Sequence, residues 1–413
     1  MLVLSRAVLL LFVALVNVPA AIIAIRDVTV IDGSGSAPVP HSNIVIRGEH
    51  IVAVGPARTT PVPKGARIIE GRGRFAIPGL WDMHVHLWDK QNPLPLYIAH
   101  GVTGVRDMGS DFARTAAWRE AAQSGKAVGP HVITPGPAVD GKPAGNPKLP
   151  VLVATTPEDG RKVFDRLDDM DVDFIKVLSS LPREAFFALA ERSRKWRMAF
   201  AGHVPQTVTP DEAIDARMAS MEHLFGLFGA CARDREHVLE TFDEGKARDL
   251  FRKSALMETR QTPTLTLWER MTAEATGDDR AAMRKQTDLA SRMVRLMRDC
   301  GVEIMAGTDT GDPGTVPGAT LHQELELLVK AGLTPMQALQ TATTIPARFL
   351  GWDDSVGHLK PGMFADVVLL AADPLADIRN VRKVVGVAIR GRYYGKAWID
   401  RTRPAAAAVG APK

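Results

Sequence analysis

One pattern limits the fold of this chain more than any other: short apolar runs alternate with longer helical stretches between residues 73 and 351. The runs are FAIPGLWDMHVHL (75–87), GVTGVRDMG (101–109), HVITPGPAV (131–139), DFIKVLS (173–179), MAFAGHV (198–204), ASMEHLFG (219–226), TPTLTLW (262–268) and EIMAGTDTG (303–311). Between them lie stretches such as SLPREAFFALAERSRKW and AAMRKQTDLASRMVRLMRDC, with apolar residues at helical spacing. Thr209-Pro210-Asp211-Glu212 and Thr334-Pro335 are good helix openings, a capping threonine followed by proline in the first turn. Eight strands alternating with helices predict an α/β fold, a (β/α)8 TIM barrel over 73–351. The competing doubly wound sheet loses ground because no G-x-G-x-x-G or Walker A loop follows the first strand.

The remainder is β-rich and divided between the chain ends. Residues 22–72 and 352–400 alternate apolar and polar residues around Gly and Asp turns, and neither is large enough to bury a core alone. The economical solution is one small β-sandwich built from both ends, with the barrel inserted between them. Ahead of it, residues 1–21 place Arg6 before an apolar run and end in Val18-Pro19-Ala20, the layout of a secretory signal peptide. An uncleaved anchor is opposed by Asn17 and Pro19, which interrupt the apolar stretch; a misassigned start codon is the third reading. The mature protein is thus expected to be exported, periplasmic or secreted, with no membrane attachment after cleavage. Residues 401–413 have no apolar period and are expected to form a disordered tail.

The chain has 11 histidines but only 2 cysteines in 413 residues, which excludes zinc sites made of four cysteines and cysteine-held iron–sulfur clusters. A net charge of +4 over that length gives little support for a nucleic-acid partner. The expected partner is a small-molecule substrate, and self-association into a homo-oligomer stays open. Any metal or acid–base chemistry must come from His, Asp, Glu and Lys.

The strongest local signal is His84-Val85-His86 near the end of the first barrel strand. Residues i and i+2 share a face of a strand, here the one directed into the barrel mouth. Further candidates fall at equivalent strand ends: Lys176 on the fourth, His203 on the fifth, His223 on the sixth and Asp309 on the eighth. Active sites of such barrels form at the C-terminal strand ends, so these six side chains are expected to converge. Four imidazoles and a carboxylate suit Zn²⁺ or a similar divalent ion. An ammonium beside cations would be repelled, so Lys176 must lose its proton or be modified. A neutral amine adds CO₂ to give a carbamate able to bridge two metals. The alternative is an ordinary ion pair of Lys176 with Asp173 or Glu222.

Those segments, together with PGLWDMHVHL, AGTDTG, LHQELELLVKAGLTPMQALQTAT and VGHLKPGMFADVVLLAADPL, resemble the amidohydrolase superfamily. Within it the resemblance is to the imidazolonepropionase-like and Xaa-Pro (Xaa-Arg) dipeptidase-like branch. It implies that His84, His86 and Asp309 bind the more buried of two divalent metal ions, expected to be Zn²⁺. His203 and His223 would bind the second, with Lys176, as N6-carboxylysine, bridging. Imidazolonepropionases proper lack the bridging lysine and use one metal, so D-F-I-K-V favours the binuclear, peptidase-like side. The chain departs from familiar dipeptidases after strand five, where GHVPQTVTPDEA replaces a more histidine-rich segment. Nor does any of its tyrosines, Tyr97, Tyr393 and Tyr394, fall at a late strand end.

The implied enzyme is an amidohydrolase that cleaves the amide bond of a dipeptide or N-acyl amino acid with a metal-bridging hydroxide, Asp309 serving as general acid and base. A cyclic amide, a lactone or an organophosphate ester could be cleaved in the same site, and a non-catalytic ligand-binding barrel is the remote alternative. His322 is expected as a substrate contact or a structural cap. Arg106-Asp107 is expected as a supporting salt bridge, and Cys231 and Cys300 as unbridged thiols on opposite sides of the barrel.

Overall fold

The computed structural model describes residues 21–89 and 91–403, so the expected signal segment, but for Ala21, lies outside the described residues. The same holds for the tail beyond residue 403. The tail's expected start at 401 is corrected, because the helix Lys396–Thr402 covers its first residues.

Strands β1 (Ile22–Val30), β2 (Val39–Arg47), β3 (His50–Pro56), β4 (Arg67–Glu70) and β5 (Phe75–Pro78) come from the first chain end. A bulge at Arg26-Asp27, where Asp27 has φ 56°, divides β1, and the two halves take different parallel partners. Ile23–Arg26 pair with β4, and Thr29–Val30 pair with β5. The alternating Ile23, Ile25, Val28, Ile44 and Ile46 pack against Val367 and Leu369 from the far end of the sequence. The two ends therefore share one core.

Nine short strands follow: β6 (Leu80–Val85), β7 (Val102–Asp107), β8 (His131–Ile133), β9 (Ala138–Asp140), β10 (Val151–Val153), β11 (Ile175–Val177), β12 (Phe200–Gly202), β13 (Ser220–Glu222) and β14 (Arg260–Thr262). Then β15 (Val367–Leu370), β16 (Val384–Ile389) and β17 (Arg392–Gly395) complete the terminal sheet, in the order β17-β16-β15-β5-β1-β2-β3 with β4 against β1. Its seam is the antiparallel β5–β15 pair, from Phe75 opposite Leu370 to Pro78 opposite Val367.

The intervening strands are parallel, one sheet ordered β6-β7-β8 and the other β10-β9-β11-β12-β13-β14. The third sequence run joins them. Its Thr-Pro-Gly-Pro centre cannot supply a continuous ladder of donors, so β8 pairs with β7 and β9 with β11. On the other side, Met305 N–H donates to Gln261 O, Met83 N–H to Ala306 O and Asp309 N–H to His84 O. The eighth run thus lies between β14 and β6 without forming a regular strand of its own.

Two expected strands are corrected. The run 75–87 divides at Gly79: β5 belongs to the terminal sheet and β6 to the parallel one. A Cβ at Gly79 would lie 1.9 Å from Thr103 Oγ1, so the crossing requires glycine. The run 262–268 leaves β14 at once and enters the helix Leu265–Glu274. Its β-branched threonines suggest a strand, but Glu324 accepts from Leu265 N and Thr266 N at 2.9 and 2.8 Å and fixes a helix start. The caps at Thr209 and Thr334 form as expected, each a reciprocal capping box. Both cysteines are free thiols. Among the described residues no helix is long and apolar enough to cross a membrane.

Candidate active site

The strand ends gather the six expected residues at one end of the parallel strands. His84 lies in β6 and His86 one residue past it; Lys176 is in β11, and His203 and His223 directly follow β12 and β13. His84 is fully buried and His223 nearly so. Donor atoms of His84, His223 and Asp309 all fall within 4.8 Å of one another. His84 Nε2 is 3.2 Å and His86 Nε2 3.3 Å from Asp309 Oδ1. The His203 ring centroid is 5.1 Å from that of His223.

Every histidine in the cluster has its other nitrogen occupied. His84 Nδ1 lies 2.8 Å from Glu222 Oε2 and His86 Nδ1 2.9 Å from Gly109 O. Ser179 Oγ and Thr264 Oγ1 hold Nδ1 of His203 and His223, both at 2.8 Å. A carboxylate and a carbonyl only accept, so the neutral rings of His84 and His86 carry their proton on Nδ1 and present a lone pair at Nε2. Three electron-pair donors then meet at Asp309 Oδ1 with no proton between them. His84 Nε2 is buried and has no hydrogen-bond partner. A divalent cation resolves both facts, and the donor set fits one.

Electrostatics agree. Burial, reinforced by the charge of Lys176 and the neighbouring imidazoles, holds His203 and His223 well below the ordinary histidine range, in the neutral form that ligates metal. Burial also brings Lys176 down to about 8. Neither ordinary partner is available to that amine. Asp173 pairs with Arg119, and Glu222 is shared by Arg106 and His84. Lys176 has no ion pair among the described residues.

The backbone is strained around the cluster. His223, Leu224, Thr264 and Asp309 have φ of 63°, 65°, 47° and 57°, a region that costs non-glycine residues of order 1–3 kcal/mol each. The surrounding hydrogen bonds hold it there. Thr308 donates its N–H and hydroxyl to Asp82, next to His84 in β6, whose carboxyl burial pushes up to about 8.

The structure narrows one expected role and corrects one pairing. His322 does not reach the ligand cluster: it is buried on the helix Ala319–Lys330, with Nε2 2.8 Å from the carbonyl of His100. Its helix turns that ring into the packing against His100, which is the geometry of the structural one of its two expected roles. Arg106 does not pair with Asp107. Fully buried, it binds Met83 O, Ser220 Oγ and Glu222 instead, because side chains adjacent on a strand face opposite ways. Asp107 accepts from Ser110 and Thr134.

Sequence reasoning missed Thr264, Ser179 and Arg270. Arg270 lies 3.4 Å from Asp312 and 3.9 Å from Asp309 Oδ2. Nothing local in the sequence marks these three, since each depends on a partner about 20–40 residues away. A cavity of about 480 Å³ opens on the cluster, lined by His86, Thr310, Gly311, Tyr97, Leu96 and Lys148.

Comparison with known proteins agrees with this geometry. A model described as the amidohydrolase family matches residues 75–393. An ochratoxinase from Aspergillus niger is 24% identical over 410 residues, covering 84% of this chain and 81% of the relative. Among solved structures, a bottromycin amidohydrolase superposes with a TM-score of 0.75 at 25% identity, covering 94% of this chain and 91% of the other. A Xaa-Pro dipeptidase with methionine bound in its active site gives 0.74 at 23% identity, covering 91% and 100%.

Proposed function

The chain belongs to the amidohydrolase family, and from that premise we propose an exported hydrolase that uses two divalent metal ions to cleave the amide bond of a dipeptide or an N-acyl amino acid. The parallel strands are read as the staves of an eight-stranded barrel, with Glu303–Asp309 as the last stave. The observation that carries the proposal is the meeting of the His84 and His86 Nε2 lone pairs with Asp309 Oδ1.

His84, His86 and Asp309 would hold one ion and His203 and His223 the other, with Lys176 between them as a carbamate. Ions held there would polarise a scissile carbonyl and would lower the pKa of water toward about 7. Asp309 Oδ2 points away from the two histidines toward Arg270, and it takes up the proton of the attacking water and returns it to the leaving nitrogen. Arg270, itself paired with Asp312, holds that carboxylate in place. Glu222 and the Gly109 carbonyl fix the tautomers of His84 and His86 and so keep Nε2 free of protons. Export rests on residues 1–21, and zinc on the imidazole-rich donor set.

The test is metal analysis of the mature protein after reconstitution with zinc, followed by initial rates on dipeptide, N-acyl amino acid, lactone and phosphotriester panels. Two equivalents of zinc and a preference for the amides are expected. Less than one equivalent, or faster turnover of a lactone or phosphotriester, overturns the reading.

A further inference from the structure

Two cavities flank the ligand cluster, and they differ in charge. The first, entered past His86 and Thr310, carries both signs, with Asp89 and Asp312 alongside Lys148. The second, of about 370 Å³, lies beside His203. Ser179, which holds His203 Nδ1 at 2.8 Å, forms part of its wall. So does Phe225, whose ring is 5.2 Å from His203 and 4.9 Å from His223. Among the described residues its only charged lining residue is Arg235, and no carboxylate lines it. Arg235 makes no ion pair among the described residues. The remaining wall includes the apolar Val204 and Val208, the hydroxyl of Thr209 and the amide of Gln206.

We propose that this second cavity receives the carboxylate-bearing half of the substrate, with the Arg235 guanidinium pairing its carboxylate. A planar guanidinium binds a carboxylate through two parallel hydrogen bonds, and an unpaired one in an otherwise uncharged cavity selects for an anion. The apolar side chain of the same residue packs on Phe225 and Val204, and the acyl half extends into the first cavity. The scissile bond then lies across the cluster between them. This deepens the proposed function and rests on it. It makes the substrate one that ends in a free amino-acid carboxylate, and it excludes capped peptides, lactones and neutral esters as good ligands.

The experiment measures equilibrium binding of two products, L-phenylalanine and L-phenylalaninamide, to the zinc-reconstituted full chain by calorimetry. Wild type, Arg235→Gln and Lys148→Gln are compared, with thermal melts to confirm folding. Arg235 is exposed, so its variant is expected to melt with wild type. Wild type is expected to bind the carboxylate about tenfold or more tighter than the amide, the scale of one charge-assisted hydrogen-bonded pair. Arg235→Gln brings that ratio to near one by weakening the carboxylate alone, and Lys148→Gln leaves it in place. A wild type that binds both alike or neither, a ratio that survives Arg235→Gln, or one that collapses in Lys148→Gln instead overturns the proposal. Absence of amide hydrolysis by the wild type defeats the proposed function separately, because product binding needs no turnover.

Discussion

Glu222 Oε2 lies 2.8 Å from His84 Nδ1, while the other oxygen of the same carboxylate binds Arg106 at 2.9 Å, all three side chains being fully buried. One carboxylate therefore sets a ligand tautomer and neutralises a buried guanidinium. Glu222→Gln removes the charge with little change of shape. It is expected to weaken zinc binding by about 10–100-fold, the usual effect of losing a carboxylate behind a ligating histidine. It also strands Arg106, at a cost of about 3–5 kcal/mol. Chelator competition and urea unfolding measure the two effects. Burial would raise the Glu222 carboxyl, but Arg106 and His84 overcome it and hold it below its ordinary 4.5. A carboxyl depressed in the folded state stabilises above that value, and its contribution disappears as the pH falls below it. The gap between wild type and variant should therefore narrow in acid.

Lys176 separates the carbamate from a plain ion pair. Lys176→Ala is expected to abolish amide hydrolysis and to recover part of it with added short-chain carboxylic acids, which supply the bridging oxygens. Burial lowers this lysine to about 8, so a substantial neutral fraction exists near that pH and carbon dioxide can add to it. Full activity in Lys176→Ala, or its loss without rescue by any acid, counts against the bridge.

The candidate cluster of side chains was legible because period-two spacing and strand ends are local properties. His84 and His86 share a face by alternation, and each of the other ligands lies at or just past the end of a parallel run. The supporting atoms were not legible, because they arrive from other strands and the loops after them: Glu222 from β13 onto His84, Thr264 onto His223, Ser179 onto His203. Ser220 and Glu222 do share a strand face, which was the one available hint that Arg106 would find a partner there. His322 could not be assigned from sequence, because a histidine soon after Asp309 is near the site in sequence while its helix turns it toward His100. The expected seventh strand failed for a related reason: the acceptor that starts the helix Leu265–Glu274 is Glu324, far along the chain.

That acceptor gives a pH prediction of opposite sign. Glu324 is buried, and burial raises its carboxyl to about 7 from 4.5. A carboxyl raised in the folded state binds its proton more tightly there, so its stabilising contribution is present below 4.5 and declines as the pH rises through 7. Glu324→Gln keeps one acceptor but sets an amide N–H₂ against a backbone donor, which costs about 1 kcal/mol of capping. Urea midpoints at pH 5 and pH 8 should show the variant less stable at pH 5, with the difference shrinking at pH 8. A difference that grows toward pH 8 would contradict the assignment.

His322→Ala tests the structural role given to that residue. Loss of the buried bond to His100 O is expected to destabilise the fold by about 1–3 kcal/mol while leaving KM for amide substrates unchanged. A several-fold rise in KM at temperatures well below the melt would restore a substrate contact.

Asp309→Asn addresses the proton path. The amide still offers Oδ1 to the two histidines but cannot take up a proton, so kcat is expected to fall by about 10²–10⁴-fold. KM should change much less, because Asp309 lines neither of the two cavities proposed to receive the substrate. Arg270 lies 3.9 Å from Oδ2 and adds a control. Arg270→Gln removes a positive charge beside the base without removing the base. It should lower kcat by far less than Asp309→Asn and shift the acid limb of the kcat profile to higher pH, since a carboxylate relieved of a cation is a stronger base. Zinc content measured alongside each variant separates the loss of a proton carrier from the loss of a ligand. Unchanged turnover in zinc-loaded Asp309→Asn would exclude Asp309 as the base and leave it as a ligand alone.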